Sequence, residues 1–415
     1  MKITTDNTPQ GKVTPLGIIP NEWKILPLQK VGKIYSGGTP DTKEPSYWNG
    51  DILWCTPSDI TKLKTRFITN TNQKITQLGL KNSSATLLPP GCILVCTRAT
   101  IGNAAITLKE TSTNQGFKNI KPIKDINVDW LFYCIASNKH RLVQLGGGST
   151  FLEVSKKDFE KFKIAIPPLP EQQKIAEIIS TWDKSIEKQS QLIEKLELRK
   201  KGLMQQLLTG KRRLPGFSDS YSWKKVRFRE LFIRVIKTAD PLTKYEVLSV
   251  TKEGIFPQRS YFNKDIASED ISKYIVVERG DLAMSGLNFW MGSCHILTNF
   301  DKGIISPAYK VFKVNKHNSI DFIKNFVQSS MFLQALQGSS VIGASVVRRN
   351  LDKEMLYEWT FKIPSIAEQT AIAEVLTADD REIELARQKL ELFRQQKHGL
   401  MQQLLTGKKR VNINN

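Results

Sequence analysis

Apolar residues step by four and three along two stretches of this chain. The first runs through Ile175, Ile179, Trp182, Ile186, Ile193, Leu196, Leu203 and Leu207, and its register also passes Gln189 and Lys200. The second runs through Ile372, Leu376, Ile383, Ala386, Leu390, Phe393, Leu400 and Leu404, passing Asp379 and Lys397. A seam held for about four to five heptads predicts a coiled-coil helix rather than an ordinary amphipathic one. Pro170 suits a first helical turn and Glu171 complements its positive end. Ser365, three residues before Glu368, fits a capping box. Both seams run out at Thr-Gly (Thr209-Gly210 and Thr406-Gly407), which predicts left-handed caps followed by basic residues. A helix from Glu171 to Thr209 would span about 58 Å at 1.5 Å per residue.

The two stretches are copies. Ile166 to Arg213 and Ile363 to Arg410 align without a gap at an offset of 197, with 24 of 48 positions identical. A period near 200 means two similar halves, whereas solenoid repeats recur every 20–50 residues or so. Two such seams in one chain most simply bury each other; the alternative is that each lies on its own globular neighbour. Lys200 and Lys397 fall at equivalent seam positions, which costs stability and fixes register. Gly202 and Gly399 sit in helix interiors, where Gly costs about 1 kcal/mol against Ala, so a close backbone approach or a local break is expected there.

Around the copies, residues 1–14 read as a polar tail, 15–165 and 214–362 as globular domains, and 411–415 as a second tail. Asn21-Glu22-Trp23-Lys24 finds an echo in Tyr221-Ser222-Trp223-Lys224; Trp23 lies 143 residues before Ile166 and Trp223 lies 140 before Ile363. The two domains are thus nearly equal in length although their sequences barely match. Strand-like runs, including Lys33–Pro40, Gly50–Cys55, Gly91–Cys96 and Gly280–Ser285, alternate with turns, and short helices are expected near Val128–Leu145 and Ile320–Leu336. Small-residue loops follow both: Gly146-Gly147-Gly148-Ser149-Thr150 and Gly338-Ser339-Ser340. The predicted fold class is α+β, two mixed α/β domains separated and joined by two long helices in a pseudo-two-fold repeat.

Charge changes the picture. Lys and Arg number 61 against 40 Asp and Glu, a net of +21 over 415 residues. Residues 1–165 carry +10 and 211–362 carry +9, while the helical stretches are nearly neutral. Two matched basic domains on a neutral spacer point to a polyanion gripped at two places. Five cysteines (Cys55, Cys92, Cys96, Cys134, Cys294) show no ligand-pair spacing with His and read as core thiols. The sequence contains no N-terminal apolar leader and no run of 18 apolar residues, so a cytoplasmic protein without a membrane span is expected.

The twin repeats open with Ile-Pro and Glu-Gln (Glu171-Gln172, Glu368-Gln369) and close with Gly-Leu-Met-Gln-Gln-Leu-Leu-Thr-Gly. Two dissimilar domains, each introduced by a Trp, complete the arrangement. In this the chain resembles the DNA-specificity subunits of type I restriction–modification systems, from residue 15 to 410. Ser36-Gly37-Gly38-Thr39-Pro40 and Asn114-Gln115-Gly116-Phe117 also look like that family's first domain. The resemblance implies two target-recognition domains, each reading half of a split site on double-stranded DNA. It implies repeat helices packed as an antiparallel coiled coil that sets the spacing and docks two methyltransferase subunits. Restriction subunits would join the full complex. S-adenosylmethionine, ATP and Mg would then be held by the partners, with no cofactor or metal in this chain.

Motifs for chemistry are missing from the sequence. It has no Asn/Asp-Pro-Pro-Tyr/Phe motif of the kind amino-methyltransferases use on a flipped base, and no Gly-rich cofactor loop. Leu208-Thr209-Gly210-Lys211 only faintly resembles a phosphate loop and reads as a helix cap. His140, His295, His317 and His398 are scattered, so a self-sufficient nuclease or methyltransferase is disfavoured. For DNA, cations neutralise phosphates and loop polar groups meet base edges. The candidates in the first domain are Ser36, Gly38, Thr39, Lys43, Tyr47, Arg98, Lys118, Ser149, Thr150 and Lys156. In the second they are Lys237, Lys252, Arg259, Asn288, Trp290, Tyr309, Ser345, Arg348 and Arg349. Gln205 and Gln206 recur as Gln402 and Gln403, although core burial does not require that identity. Docking of one kind of partner by both copies explains it; duplication with module exchange is the other explanation. The rival from another class is a structural scaffold whose coiled coil joins two basic protein-binding domains.

Overall fold

The computed structural model describes residues 11–147, 152–218, 222–240, 245–262, 270–345 and 348–413. Both predicted helices are present, Leu169–Leu207 and Ile366–Leu404, each of 39 residues. The chain divides into two compact units, and the division falls inside both helices. One unit holds 1–191 with 388–415, and the other holds 192–387.

In the first unit, Lys24–Pro27 pairs antiparallel with Lys163–Ile166, so Trp23 opens a strand that lies beside the last strand before the helix. A five-stranded sheet runs in the order Gly32–Ser36, Phe117–Pro122, Ile93–Cys96, Ala104–Thr107, Phe67–Ile68. A second sheet places Trp48–Cys55 between Thr111–Thr113 and Gln73–Ile75. The helices Val128–Ser137 and Lys139–Gln144 replace the single expected helix, because the chain breaks at Asn138. Residues 11–14 are not tail. Gly11–Thr14 pairs with Gly17–Pro20, with the Thr14 hydroxyl donating to the Gly17 carbonyl at 2.7 Å and Gly17 supplying φ +94°. Cys92 and Cys96 lie in the core, where burial pushes their thiols up to about 11.

The second unit repeats this plan from different residues. Lys224–Arg227 pairs with Thr360–Ile363, Trp223 again preceding the first strand. The sheet order Phe232–Val235, Lys310–Val314, Leu282–Met284, Cys294–Ile296 matches the first four strands of the other unit's larger sheet. A second sheet runs Ile255–Pro257, Val247–Val250, Lys302–Ile305, Ile275–Glu278. Ser340 opens a hairpin, Ser340–Ser345 with Arg348–Leu351, where a loop was expected.

Within each unit the helical segments run antiparallel, and the seam residues face inward. In the first, Trp182 meets Phe393 edge-on at 5.7 Å and Lys397 pairs with Asp183 at 2.5 Å. In the second, Lys200 pairs with Asp380 at 2.5 Å, Arg387 with Glu197 at 2.6 Å, and Arg199 with Asp379 at 2.7 Å. The two seam lysines are thus matched by aspartates that are themselves repeat equivalents. Each charge finds its partner only in this register.

The carboxyl end of each helix belongs to the other copy's domain. Leu404 and Leu405 sit in the core with Trp23, Trp130 and Ile175. Leu207 and Leu208 sit with Phe228, Phe332 and Ile372. The glycine caps are as expected, with φ +70° at Gly210 and +73° at Gly407. A Cβ on Gly407 would lie 2.4 Å from Pro20 and 3.4 Å from Trp23. Gly202 and Gly399 differ from expectation: nothing within 4 Å would meet a Cβ at either, and the helices continue through both, so neither close approach nor break exists within the described residues. Gly202→Ala is therefore expected to raise stability by about 0.5–1 kcal/mol, and Gly407→Ala to lower it by more than that. Thermal unfolding of the two variants checks the opposite signs.

Candidate nucleic-acid interface and helix clasps

The Glu-Gln pair that opens each repeat is a clasp. Glu171 is fully buried and accepts hydrogen bonds from the Trp23 indole at 3.0 Å and from Arg410 Nε and Nη2 at 2.8 and 3.1 Å. Glu368 accepts from Trp223 at 3.1 Å and from Arg213 at 2.6 and 2.7 Å. These contacts use Glu368's carboxylate, so the reciprocal half of the expected capping box is not made; only the Ser365 hydroxyl accepts, from the Glu368 N–H at 3.4 Å. The neighbouring glutamines lock the domain side. Gln172 accepts from the Asn127 N–H at 2.8 Å and donates to the Asp125 and Pro167 carbonyls. Gln369 accepts from the Ser319 N–H at 2.9 Å and donates to Asn318 and the Pro364 carbonyl. The clasps were missed as clasps at the level of sequence, although the identity of Glu, Gln and the closing Arg in both copies, with a Trp before each domain, was their signal.

In the first domain the structure gathers several of the candidate residues at one end of the larger sheet. Ser36 ends the edge strand directly opposite Lys118. Gly38 is buried; its N–H donates to the Thr113 carbonyl, its carbonyl accepts from the Trp54 indole, and a Cβ there would collide with the Ser84–Ala85 backbone. Thr39 hydrogen-bonds Gln115. The Asn114 side chain accepts from the Gly116 N–H at 3.0 Å, and the Gly116 carbonyl accepts from Thr97, shaping the loop beside Arg98. Glu153 joins the cluster, 3.9 Å from both Arg98 and Lys118. Lys118 is nearly buried, and that burial holds its ammonium below the usual lysine range. Lys43 and Lys156 are exposed, Lys156 pairing with Glu160 at 3.7 Å, and Tyr47 packs against the Gly79 turn. Ser149 and Thr150 lie outside the described residues.

In the second domain Lys237, Lys252, Arg259 and Asn288 are exposed. Trp290 and Arg349 are brought together: the guanidinium lies over the indole at 4.6 Å and donates to the Ser340 hydroxyl at 3.1 Å. The Trp290 Nε1 and Arg349 Nε donors are buried without a partner within the described residues. Tyr309 packs half-buried against the smaller core of this domain. Ser345 and Arg348 take part in the hairpin pairing. Gln205, Gln206 and Gln402 are exposed and Gln403 half-buried, on the final turns of the helices. No helix among the described residues is long and apolar enough to cross a membrane.

Residues 20–198 match the family profile described as Type I restriction modification DNA specificity domain. The specificity subunit of the MjaIX type I restriction enzyme of Methanocaldococcus jannaschii is 36% identical over 45% of this chain and 44% of its own length. The EcoR124I/EcoR124II specificity subunit of Escherichia coli is 32% identical over 39% and 41%. The match to each therefore spans less than half of that relative. The MjaVIII specificity subunit of M. jannaschii is 29% identical over 69% of this chain and 71% of its own. Among solved structures, one from work on complex assembly and conformational transition of the type I restriction–modification system covers 94% of this chain and 99% of its own, with TM-score 0.59 and 16% identity. The specificity subunit of M. genitalium covers 94% and 98%, with TM-score 0.52 and 12% identity.

Proposed function

We propose, from the premise that this chain belongs to the specificity-subunit family of type I restriction–modification systems, that it is the DNA-reading subunit of such a complex. Each unit carries one target-recognition domain, and each domain reads one half of a bipartite site on duplex DNA. The observation that carries this is the duplicated plan: the same strand order built twice from dissimilar loops, on two continuous helices whose ends are clasped identically. Dissimilar loops on a shared frame fit two different half-sites, and the basic excess of both domains fits the phosphate backbone.

Catalysis belongs in this reading to partners. Methyltransferase subunits would bring S-adenosylmethionine, and restriction subunits would bring ATP and Mg. Two methyltransferase subunits would dock on the repeats, one at each copy. The exposed Gln205 beside the open Gly202 supports that, and so does Gln402 beside the open Gly399, although the Gln402 side chain also hydrogen-bonds His398 one turn earlier at 2.9 Å. The scaffold alternative needs neither steep salt dependence nor a gapped site.

The stacked Arg349 gives the test. Replacing Arg348 and Arg349 with alanine is expected to lower the slope of log K against log salt by one to two units, at about 0.9 per lost phosphate contact. Titration of duplex DNA at several salt concentrations measures it. Wild-type binding with no salt dependence would contradict the DNA-reading function and favour the scaffold.

A further inference from the structure

We propose that Arg234, Lys310 and Lys353 together seat one backbone phosphate of duplex DNA. This site rests on the DNA-reading function and extends it to residues that no motif marks. Arg234 lies in the edge strand opposite Phe312; its guanidinium sits over the Phe312 ring at 5.3 Å and donates to the Val311 carbonyl at 2.9 Å. That aims it along the neighbouring strand toward Lys310, the strand's first residue. Lys353 is the first residue of the helix Lys353–Glu358. One turn later, Tyr357 stacks on Phe228 at 6.1 Å, and Phe228 meets Phe312 edge-on at 5.3 Å. The three cations therefore converge on one corner of the sheet.

Their surroundings are unusual for cations. Arg234 and Lys310 are half-buried and Lys353 is exposed, so the cluster opens to solvent on one side. Burial holds both Arg234 and Lys310 below their usual ranges, and the like charges of Arg234 and Lys353 lower Lys310 further. Among the described residues no carboxylate forms an ion pair with any of the three. Asp352 caps its own helix through the Met355 N–H, and Glu358 is taken up by Arg227 and Arg229. Like charges gathered without a counter-charge destabilise the fold by themselves, which is the signature of a site built for an anion.

The first domain supplies a comparison. Lys118 occupies the same place as Lys310: it lies opposite Val95, the third residue of the inner neighbouring strand, as Lys310 lies opposite Met284, the third residue of its own inner neighbour, while Lys156 precedes Lys353 by the repeat offset of 197. There Lys118 has a carboxylate of its own, Glu153, at 3.9 Å. Three residues before Lys353 the chain carries Asn350 where Glu153 stands three before Lys156. Losing that carboxylate turns an internal ion pair into a seat for an external anion. A fork from Arg234 and point charges from two lysines suit the oxygens of a phosphodiester.

The experiment uses the full chain and the variants Lys310→Gln and Lys353→Gln. In chloride buffer Lys310→Gln should unfold at a higher temperature than wild type, because a repulsive charge has been removed; a merely structural lysine would give the reverse. Exchanging chloride for inorganic phosphate at constant ionic strength should raise the wild-type midpoint and leave that of Lys310→Gln unmoved. On duplex DNA each variant should lose about three- to tenfold in affinity whatever the sequence, with a salt slope lower by about one. A steep wild-type slope left unchanged in both variants overturns the seat alone. A wild-type chain without salt-dependent binding overturns the DNA reading beneath it. Lys353, being exposed, keeps the test open should Lys310→Gln fail to fold.

Discussion

Replacing Glu171 with alanine is expected to destabilise the unit that holds the first domain by about 3 kcal/mol, the low end of the cost of breaking a buried ion pair. The carboxylate is fully buried and accepts three hydrogen bonds, one from the equally buried Trp23 indole and two from Arg410. Truncation leaves the indole N–H without a partner and Arg410 with only Glu22, at 3.1 Å. An orphaned buried donor alone costs roughly 1–3 kcal/mol. The low end of the ion-pair range applies because Arg410 keeps access to water, its side chain being 43% exposed. For a unit of this size that corresponds to a fall of about 6–12 °C in its unfolding midpoint. Calorimetry of the full chain reads it as one of two transitions moving down. A midpoint within about 1 °C of wild type would show that the clasp is incidental.

Leu208→Ala should cost about 3 kcal/mol, within the range for truncating a fully buried leucine, and its effect should land on the second domain. Leu208 follows the first domain's own helix in sequence, yet it packs with Phe228, Phe332 and Phe361. Its counterpart Leu405 packs with Trp23 and Trp130 of the first domain. Hydrogen exchange on Leu208→Ala is expected to show lost protection in residues 222–362 and unchanged protection in 15–147. Leu405→Ala should show the reverse. Protection lost in the domain that precedes each leucine would contradict the crossed arrangement.

The helices were legible because their seam is long, and because two copies of one segment rarely share 24 of 48 residues without a common structural demand. The shared plan of the two domains was only half legible. Equal lengths and paired tryptophans pointed to it, but a strand order such as that around Phe117–Pro122 and Lys310–Val314 comes from long-range pairing that short strands do not announce. A helix-interior glycine carries a cost, so Gly202 and Gly399 point to a close backbone approach or a local break; the open space around them and the helices running through them show neither among the described residues. Among candidate DNA-contacting residues, residue type identified cations but not their neighbours. The burial of Lys118 beside Glu153 and the stacking of Arg349 on Trp290 depend on tertiary contacts between residues far apart in sequence. Lys310 and Lys353, each unremarked in its own stretch, become notable only where the fold brings them to Arg234.

On the proposed function, in which each unit reads one half-site, the site should tolerate a single separation between its halves. The direct measurement is the affinity of the assembled complex for a duplex bearing its bipartite site, against the same duplex with its untouched middle lengthened by about five base pairs, half a helical turn. Binding to the lengthened duplex should fall to the non-specific level, a loss of at least about a thousandfold. Equal affinity for both duplexes would rule out a bipartite site read at a set spacing.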